Sequence, residues 1–294
     1  MKLLFVCNPN AGRMTIRSRM YQVLDIFEKA GYETTVRISQ KSGDPINIIK
    51  DMDDSFDRVV CSGGDGTLDE VVSGMMQREH RVPIGYLPAG STNDFGRSLK
   101  IPRDVVRAAD IAVGDDLFRC DIGSFNDKHF VYVAAFGALS EVTYETSQDQ
   151  KNRLGYMAYV VNGARHVTDP ESFVLRMKAD GVSYEGEFIY GLITNSFSIG
   201  GFKNITGKHV KLDDGLFEVT LVKKPRNAIE LNAIIASLIA REMDERYIIT
   251  LKAERIQIDS VDTIPWTLDG ENGGRYKRID IVNNPRAVEF IVRA

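Results

Sequence analysis

The apolar run Arg58-Val59-Val60-Cys61 leads through Ser62-Gly63-Gly64-Asp65-Gly66-Thr67 into a segment whose apolar residues fall at Leu68, Val71, Val72, Met75 and Met76. Spacings of three and four belong to one face of a helix, whereas the short β-branched run before the glycines has the character of a buried strand. A hairpin turn at Asp65-Gly66 would need a second strand after Thr67, and the pattern there is helical. A glycine loop that joins a strand to a helix belongs to a layered α/β structure. Glycines let main chain approach a polyphosphate, and the N-H groups and dipole of the following helix favour its negative charge. No lysine follows the glycines as in GxxxxGK[ST], and the GxGxxG spacing is absent, so a phosphate here must be held in another way.

The same alternation runs through the first 120 or so residues. Leu3 to Cys7 is a strand candidate that enters Asn8-Pro9-Asn10-Ala11-Gly12, and Met20, Val23, Leu24 and Phe27 then repeat at helical spacing. Thr34 to Ile38 and Ile84 to Pro88 are further strands, with helices around Ile46 to Ile49 and Val105 to Ala112; Ile84 to Pro88 runs into a second glycine loop, Ala89-Gly90-Ser91-Thr92-Asn93-Asp94-Phe95. Such order predicts a parallel sheet covered on both faces, with ligands at the carboxyl ends of its strands. From about residue 118 the runs become strand-like: Phe130 to Phe136, Phe173 to Lys178, Phe188 to Thr194, Leu216 to Val222, Tyr247 to Leu251 and Ile256 to Ile258. Turn pairs Asp180-Gly181 and Asp214-Gly215 separate them, and helical patterns cover 155–165 and 228–243. The last apolar run, Val288 to Val292, follows Asn283-Asn284-Pro285. The expected fold class is thus an N-terminal α/β domain with a parallel sheet over 1–122 and a C-terminal β-rich, sandwich-like domain over 123–284, with a tail of about 285–294 able to pack back on either domain, a return to the first among the options.

Composition removes several classes of function. A net charge of -4 argues against broad binding to nucleic acid, which needs a basic surface. The cysteines Cys7, Cys61 and Cys120 lie in or beside apolar stretches without CxxC spacing, as in a reduced cytosolic protein. His80, His129, His166 and His209 show no metal-ligand spacing. No segment approaches the roughly 18 uninterrupted apolar residues of a spanning helix, so a membrane would be met from outside the bilayer. Asp65 and Asp94 sit in the glycine loops, where carboxylates suit a hard cation such as magnesium; Asp94 can equally serve the start of the helix that follows Asn93.

Taken in order, Asn8-Pro9-Asn10-Ala11-Gly12, Gly63-Gly64-Asp65-Gly66-Thr67, Pro88-Ala89-Gly90-Ser91-Thr92-Asn93-Asp94-Phe95, Lys211-Leu212-Asp213-Asp214-Gly215-Leu216 and Leu268-Asp269-Gly270-Glu271 resemble the motifs of bacterial lipid kinases related to soluble diacylglycerol kinase. The catalytic domains of eukaryotic diacylglycerol and sphingosine kinases are similar. The resemblance spans nearly the whole chain and implies a nucleotide-binding first domain, with ATP and Mg2+ held between two domains. It assigns nucleotide contacts to Asn8, Pro9, Asn10, Ala11, Gly12, Ser39, Gly63, Gly64, Asp65, Gly66, Thr67, Leu68, Asp69 and Thr92. Asp65, Asp94 and Asp121 match aspartates of a water-mediated magnesium network, and Asp269 and Glu271 match the acidic pair associated with the catalytic base. Asp214, with the main-chain carbonyls of Lys211 and Leu216, matches a structural magnesium position. There the chain departs from the family, carrying Thr206-Gly207-Lys208-His209-Val210 in place of a segment with Pro and Ala. Without the resemblance, Asp214-Gly215 and Asp269-Gly270 read as tight turns.

The expected activity is transfer of the γ-phosphoryl of ATP to a lipid hydroxyl, with diacylglycerol converted to phosphatidic acid. Phosphatidylglycerol, a sphingoid base or a polyprenol are alternative acceptors, and an NAD kinase-like enzyme is the nearest rival because it shares a GGDG-type loop. A non-catalytic lipid-binding regulator would lack acids at Asp65, Asp94 or Asp269, and all are present. The expected setting is cytoplasmic, peripheral to the inner face of the membrane, with a lipid substrate, no nucleic acid and a homodimeric state. Arg13 is a candidate contact for ATP or lipid headgroups, while Lys151, Arg153 and Arg165 flank an apolar helix candidate, Tyr156 to Val161, that reads either as an interfacial element with aromatics and cations together or, in the reading favoured here, as a core helix with solvated flanks.

Overall fold

The structure, a computed structural model, describes residues 1–12, 15–137, 171–196, 198–199, 202–203, 210–240 and 243–293. In chain order the elements are β1 (Lys2–Cys7), α1 (Thr15–Lys29), β2 (Glu33–Ile38), α2 (Asp44–Lys50), β3 (Arg58–Gly63), α3 (Asp65–Met76), β4 (Ile84–Pro88), α4 (Asp94–Ser98) and α5 (Val105–Ala112). There follow β5 (Leu117–Phe125), β6 (Lys128–Phe130), β7 (Val133–Gly137), β8 (Phe173–Ala179), β9 (Val182–Thr194), β10 (Ser198–Ile199) and β11 (Phe202–Lys203). The last are β12 (Phe217–Lys223), α6 (Ala228–Ala240), β13 (Ile248–Ala253), β14 (Arg255–Leu268) and β15 (Glu271–Ile291). Arg13, the apolar segment at 156–161 with its flanking cations, and Thr206 to His209 lie outside the described residues. Two compact units result: Met1–Ile122 with Asn284–Ala294, and Gly123–Asn283.

In the first unit β1 pairs in parallel with β2 and β3, and β3 in parallel with β4. Because the strands run the same way and Cys7 registers with both Ile38 and Ser62 and Gly63 with Pro88, the loops after all four strands emerge at one edge. Burial explains the register. Leu3 to Cys7, Val59 to Cys61 and Ile84 are almost fully inaccessible, as expected of strands covered on both faces. Phe5 meets Phe27 of α1 edge to face at 5.4 Å, and α5 lies close over β4 because Gly85 has no side chain; a Cβ there would stand 2.6 Å from that of Ala112. Phe290 of β15 registers with Ile84 and packs on Phe95 at 5.1 Å.

Asn283-Asn284-Pro285 does not end a strand: β15 runs through it for 21 residues. Pro285 has no N-H to donate, and Arg286 takes φ 53 and gives its N-H to Asp121 Oδ1 at 2.7 Å, so a buried carboxylate replaces a strand partner at this kink.

The second unit is antiparallel: β12 lies between β13 and β9, β9 also pairs with β7 and β8, and β14 pairs with β7, β8 and β15. Its core gathers Trp266 against Phe125 at 5.0 Å and Phe136 at 4.9 Å, with Phe130 stacked on Phe217 at 5.4 Å. Two hairpins turn on adjacent residues with positive φ, Asp180 (45) with Gly181 (90) and Asp269 (49) with Gly270 (87), the type I′ geometry that suits a two-residue connection. Phe130 to Phe136 is broken at Val131-Tyr132, where three successive N-H groups turn to Asp269 rather than to a neighbouring strand. Among the described residues no helix is long and apolar enough to cross a membrane.

Candidate active site

At the carboxyl edge of the first sheet, three loops interlock through their main chains. Asn8 follows β1 directly and donates its N-H to Ser62 O at 2.9 Å, while its amide Nδ2 reaches Thr67 Oγ1 at 3.1 Å and its Oδ1 accepts the N-H of Asn10 at 3.0 Å. Arg17 of α1 holds the same loop, donating to Pro9 O at 2.9 Å and Asn10 Oδ1 at 2.7 Å. Gly12 has φ 51, and a Cβ on it would lie 2.1 Å from Ala89 O; one on Gly90 would lie 2.6 Å from Gly64 Cα. These glycines are required by contact between backbones. Gly63 has no room for a side chain either, since Thr67 Cβ stands 2.4 Å from where one would begin. Gly64, the N-cap of the 12-residue α3, supplies no capping side chain, which leaves the helix start suited to an outside anion.

Asp65 is the first residue of α3, and its carboxylate accepts the N-H groups of Asp94 at 3.2 Å and Phe95 at 3.4 Å, tying the start of α4 to that of α3. Asp94 is 2 % exposed, 3.9 Å from Arg97 Nη1. Asp121 is fully buried and anchors Arg286, as described above. Among the described residues no three or more His, Cys, Asp or Glu side chains form a direct metal-ligand cluster. Ser39 is buried, with N-H and Oγ both directed at Cys7 O, at 3.0 and 3.4 Å. Leu68 is buried in the core, Asp69 and Thr92 are half-buried, and Thr92 O accepts from Arg103 at 2.8 Å. Burial, reinforced by the charges of Asp65 and then of Cys61 and Asp94, holds the Tyr86 hydroxyl well above the ordinary tyrosine pKa, so it remains a donor to Gly63 O at 3.2 Å. Cys7 and Cys61 are core thiols whose pKa values burial also raises, that of Cys7 to about 11.

The acids of the second unit fall into two environments. Asp269 is 4 % exposed, and its carboxylate accepts from the N-H groups of Val131 at 2.5 Å, Tyr132 at 3.0 Å and Val133 at 2.8 Å. Glu271, opposite Leu268 at the start of β15, is exposed. Asp214 accepts the N-H of Leu216 on Oδ1 at 3.2 Å, closing the turn at Gly215 (φ 77), and meets Lys252 Nζ on Oδ2 at 3.1 Å. Lys252 Nζ is also 2.9 Å from Glu218 Oε1. Burial pushes the Glu218 pKa up, although the ammonium works against it; for Lys252 burial acts against the charge, and the two carboxylates outweigh it and raise its pKa.

Asn93, Arg17 and Lys252 were not singled out from the sequence. Asn93 is left-handed at φ 52, with Oδ1 accepting from Gly90 N at 2.9 Å and Nδ2 donating to Gly90 O at 2.8 Å. An asparagine before a helical pattern in a glycine loop is the signal that identifies such a position. Asn93→Ala is expected to lower the stability of the first unit by about 2–3 kcal/mol, and Asn93→Gly, which keeps the backbone conformation, by about 1–2 kcal/mol. Urea unfolding of the two variants checks the difference.

Comparison with known proteins places this geometry. Residues 2–125 match the family described as Diacylglycerol kinase catalytic domain, and residues 133–292 match the YegS C-terminal NAD kinase beta sandwich-like domain. A diacylglycerol kinase of Bacillus subtilis (strain 168) is 34% identical over 271 residues, 92% of this chain and 89% of that one. One of Staphylococcus carnosus (strain TM300) is 34% identical over 273 residues, 92% of this chain and 88% of that one. The fold is shared with a solved diacylglycerol kinase structure from Bacillus anthracis str. Sterne, at TM-score 0.82 and 23% identity over 99% of this chain and 97% of that one. With both halves matched and relatives aligned over almost their whole length, the chain belongs to the diacylglycerol kinase family and is a lipid kinase, a phosphotransferase with an alcohol acceptor.

Proposed function

We propose that this chain transfers the γ-phosphoryl group of ATP to the hydroxyl of diacylglycerol at a membrane surface, giving phosphatidic acid. The observation that carries the nucleotide half of this reading is the cradle at the uncapped start of α3, where Gly12, Gly64 and Gly90 pack against main chain and Gly63 against the Thr67 side chain. The polyphosphate lies against that helix start, where backbone N-H groups and the dipole offset its charge. Diacylglycerol as acceptor rests on the names of the relatives.

Asp65, Asp94 and Asp121 are the residues that would hold a magnesium ion, and the fit is to a hydrated one. Carboxylates are the donors such an ion prefers, while Asp65 and Asp121 already accept main-chain N-H groups and no direct ligand cluster is gathered among the described residues. When bound, magnesium neutralises charge on the triphosphate. Of the two acids in the Asp269-Gly270-Glu271 turn, Glu271 is the proton acceptor for the lipid hydroxyl: it is exposed, whereas both oxygens of Asp269 hold the 131–133 main chain. Asp269 is a positioning residue.

The test is turnover of γ-labelled ATP with magnesium against mixed micelles carrying diacylglycerol, phosphatidylglycerol, a sphingoid base or a polyprenol separately. Labelled phosphatidic acid is the expected product, with turnover by Asp65→Ala lower by about 100-fold or more. Label in another lipid alone would reject diacylglycerol and leave the mechanism standing; label in NAD alone would reject the lipid reading.

A further inference from the structure

The family's structural magnesium position falls on the Lys211–Leu216 turn, and the residues gathered there do not fit a dedicated divalent site. Asp214 is its only side-chain match, and that carboxylate is already engaged on both oxygens, by the Leu216 N-H at 3.2 Å and by Lys252 Nζ at 3.1 Å. Lys252 is not a casual surface lysine. Glu218 of β12 registers directly with Lys252 of β13, so both side chains rise from the same face of the ladder, and Glu218 Oε1 stands 2.9 Å from the same ammonium. Glu218 is 6 % exposed. A magnesium ion arriving at Asp214 would have to repel or displace an ammonium whose departure leaves the buried Glu218 carboxylate without its counter-charge, a cost set by the burial of Glu218, since the lysine side chain itself is 39 % exposed. Magnesium also gives up its own water reluctantly, and one carboxylate that is already neutralised offers it little in return.

We propose that this chain supplies its own cation to the turn: the ammonium of Lys252 clamps Asp214 to Glu218 at the head of β12, and the turn needs no divalent ion. Lys252 reaches Asp214 across 38 positions of sequence and fastens β13 to the loop that starts β12. The magnesium requirement of the enzyme then reduces to the ion that accompanies the nucleotide.

The experiment is thermal unfolding of the nucleotide-free full chain in EDTA and in excess Mg2+, for the wild type, Lys252→Met and Asp214→Asn. Leaving out nucleotide removes the other source of magnesium binding, so the readout does not depend on activity. The wild type is expected to melt at the same temperature in both buffers, and Lys252→Met to melt roughly 5 °C or more lower. Magnesium raising the wild-type melting temperature, with that gain abolished by Asp214→Asn, would overturn the proposal; so would Lys252→Met melting with the wild type. If Lys252→Met does not fold, the wild-type and Asp214→Asn pair still decides.

Discussion

Glu271→Gln is expected to lower kcat by about 100-fold or more while leaving the melting temperature where it was, because an exposed carboxylate at the start of β15 supports no packing and its loss removes only the proton acceptor. Asp269→Asn is expected to act the opposite way. The substitution places an NH2 group where an oxygen accepts main-chain N-H groups at 2.5 to 3.0 Å, leaving at least one buried donor unsatisfied. That costs about 3 kcal/mol, or roughly 6–12 °C in the unfolding of the second unit. The turn itself, with φ 49 at Asp269 and 87 at Gly270, keeps its conformation, since asparagine tolerates the left-handed region as well as aspartate does. Steady-state kinetics on diacylglycerol micelles and a thermal melt separate the two effects. If Asp269→Asn were stable and inactive while Glu271→Gln kept its turnover, the roles would be exchanged.

Gly90→Ala is the second large effect. The new methyl would sit 2.6 Å from Gly64 Cα and 2.8 Å from Asn93 Oδ1, distances at which the loops must separate. Gly12→Ala is harsher still, with 2.1 Å to Ala89 O and a backbone at φ 51. Each is expected to destabilise the first unit by about 3 kcal/mol and to weaken ATP binding by about tenfold or more, since the loops that part are those of the proposed phosphate cradle. Gly31→Ala is the control: φ is 83, but nothing lies within 4 Å of the added Cβ, so only backbone strain of about 1–2 kcal/mol remains and nucleotide binding is unchanged. Calorimetric titration with ATP beside a thermal melt reads both quantities. A Gly90→Ala chain that binds ATP like the wild type would remove the cradle from the nucleotide site.

The elements that were legible in advance are those whose signal is local. Ile84–Pro88 and Val105–Ala112 have the same limits in the sequence pattern and in the structure, because a buried strand and an amphipathic helix each write their periodicity into consecutive residues. The turns at Asp180-Gly181 and Asp269-Gly270 were legible for the same reason, positive φ being a property of the dipeptide. Longer elements were cut short in the reading. Of β14 only Ile256 to Ile258 stood out, since polar residues on its outer face interrupt the apolar pattern over a strand of 14 residues. Of β15 only the last run, Val288 to Val292, was picked out, whereas the strand runs for 21 residues through Asn283-Asn284-Pro285.

The residue types of the site, glycines where loops touch and acids near a helix start, belong to the chain itself, and so does membership of the family. The task of each acid does not. Asp65 meets the N-H of Asp94 across 29 positions, Asp269 meets that of Val131 across 138, and Asp121 meets that of Arg286 across 165. Nothing in the residues beside an aspartate says whether its carboxylate will hold main chain, an ammonium or a hydrated metal. That depends on the register of strands far apart in sequence, and register follows from burying the sheet faces as a whole, so the same Asp-Gly pair becomes a main-chain anchor at 269 and a lysine-clamped turn at 214.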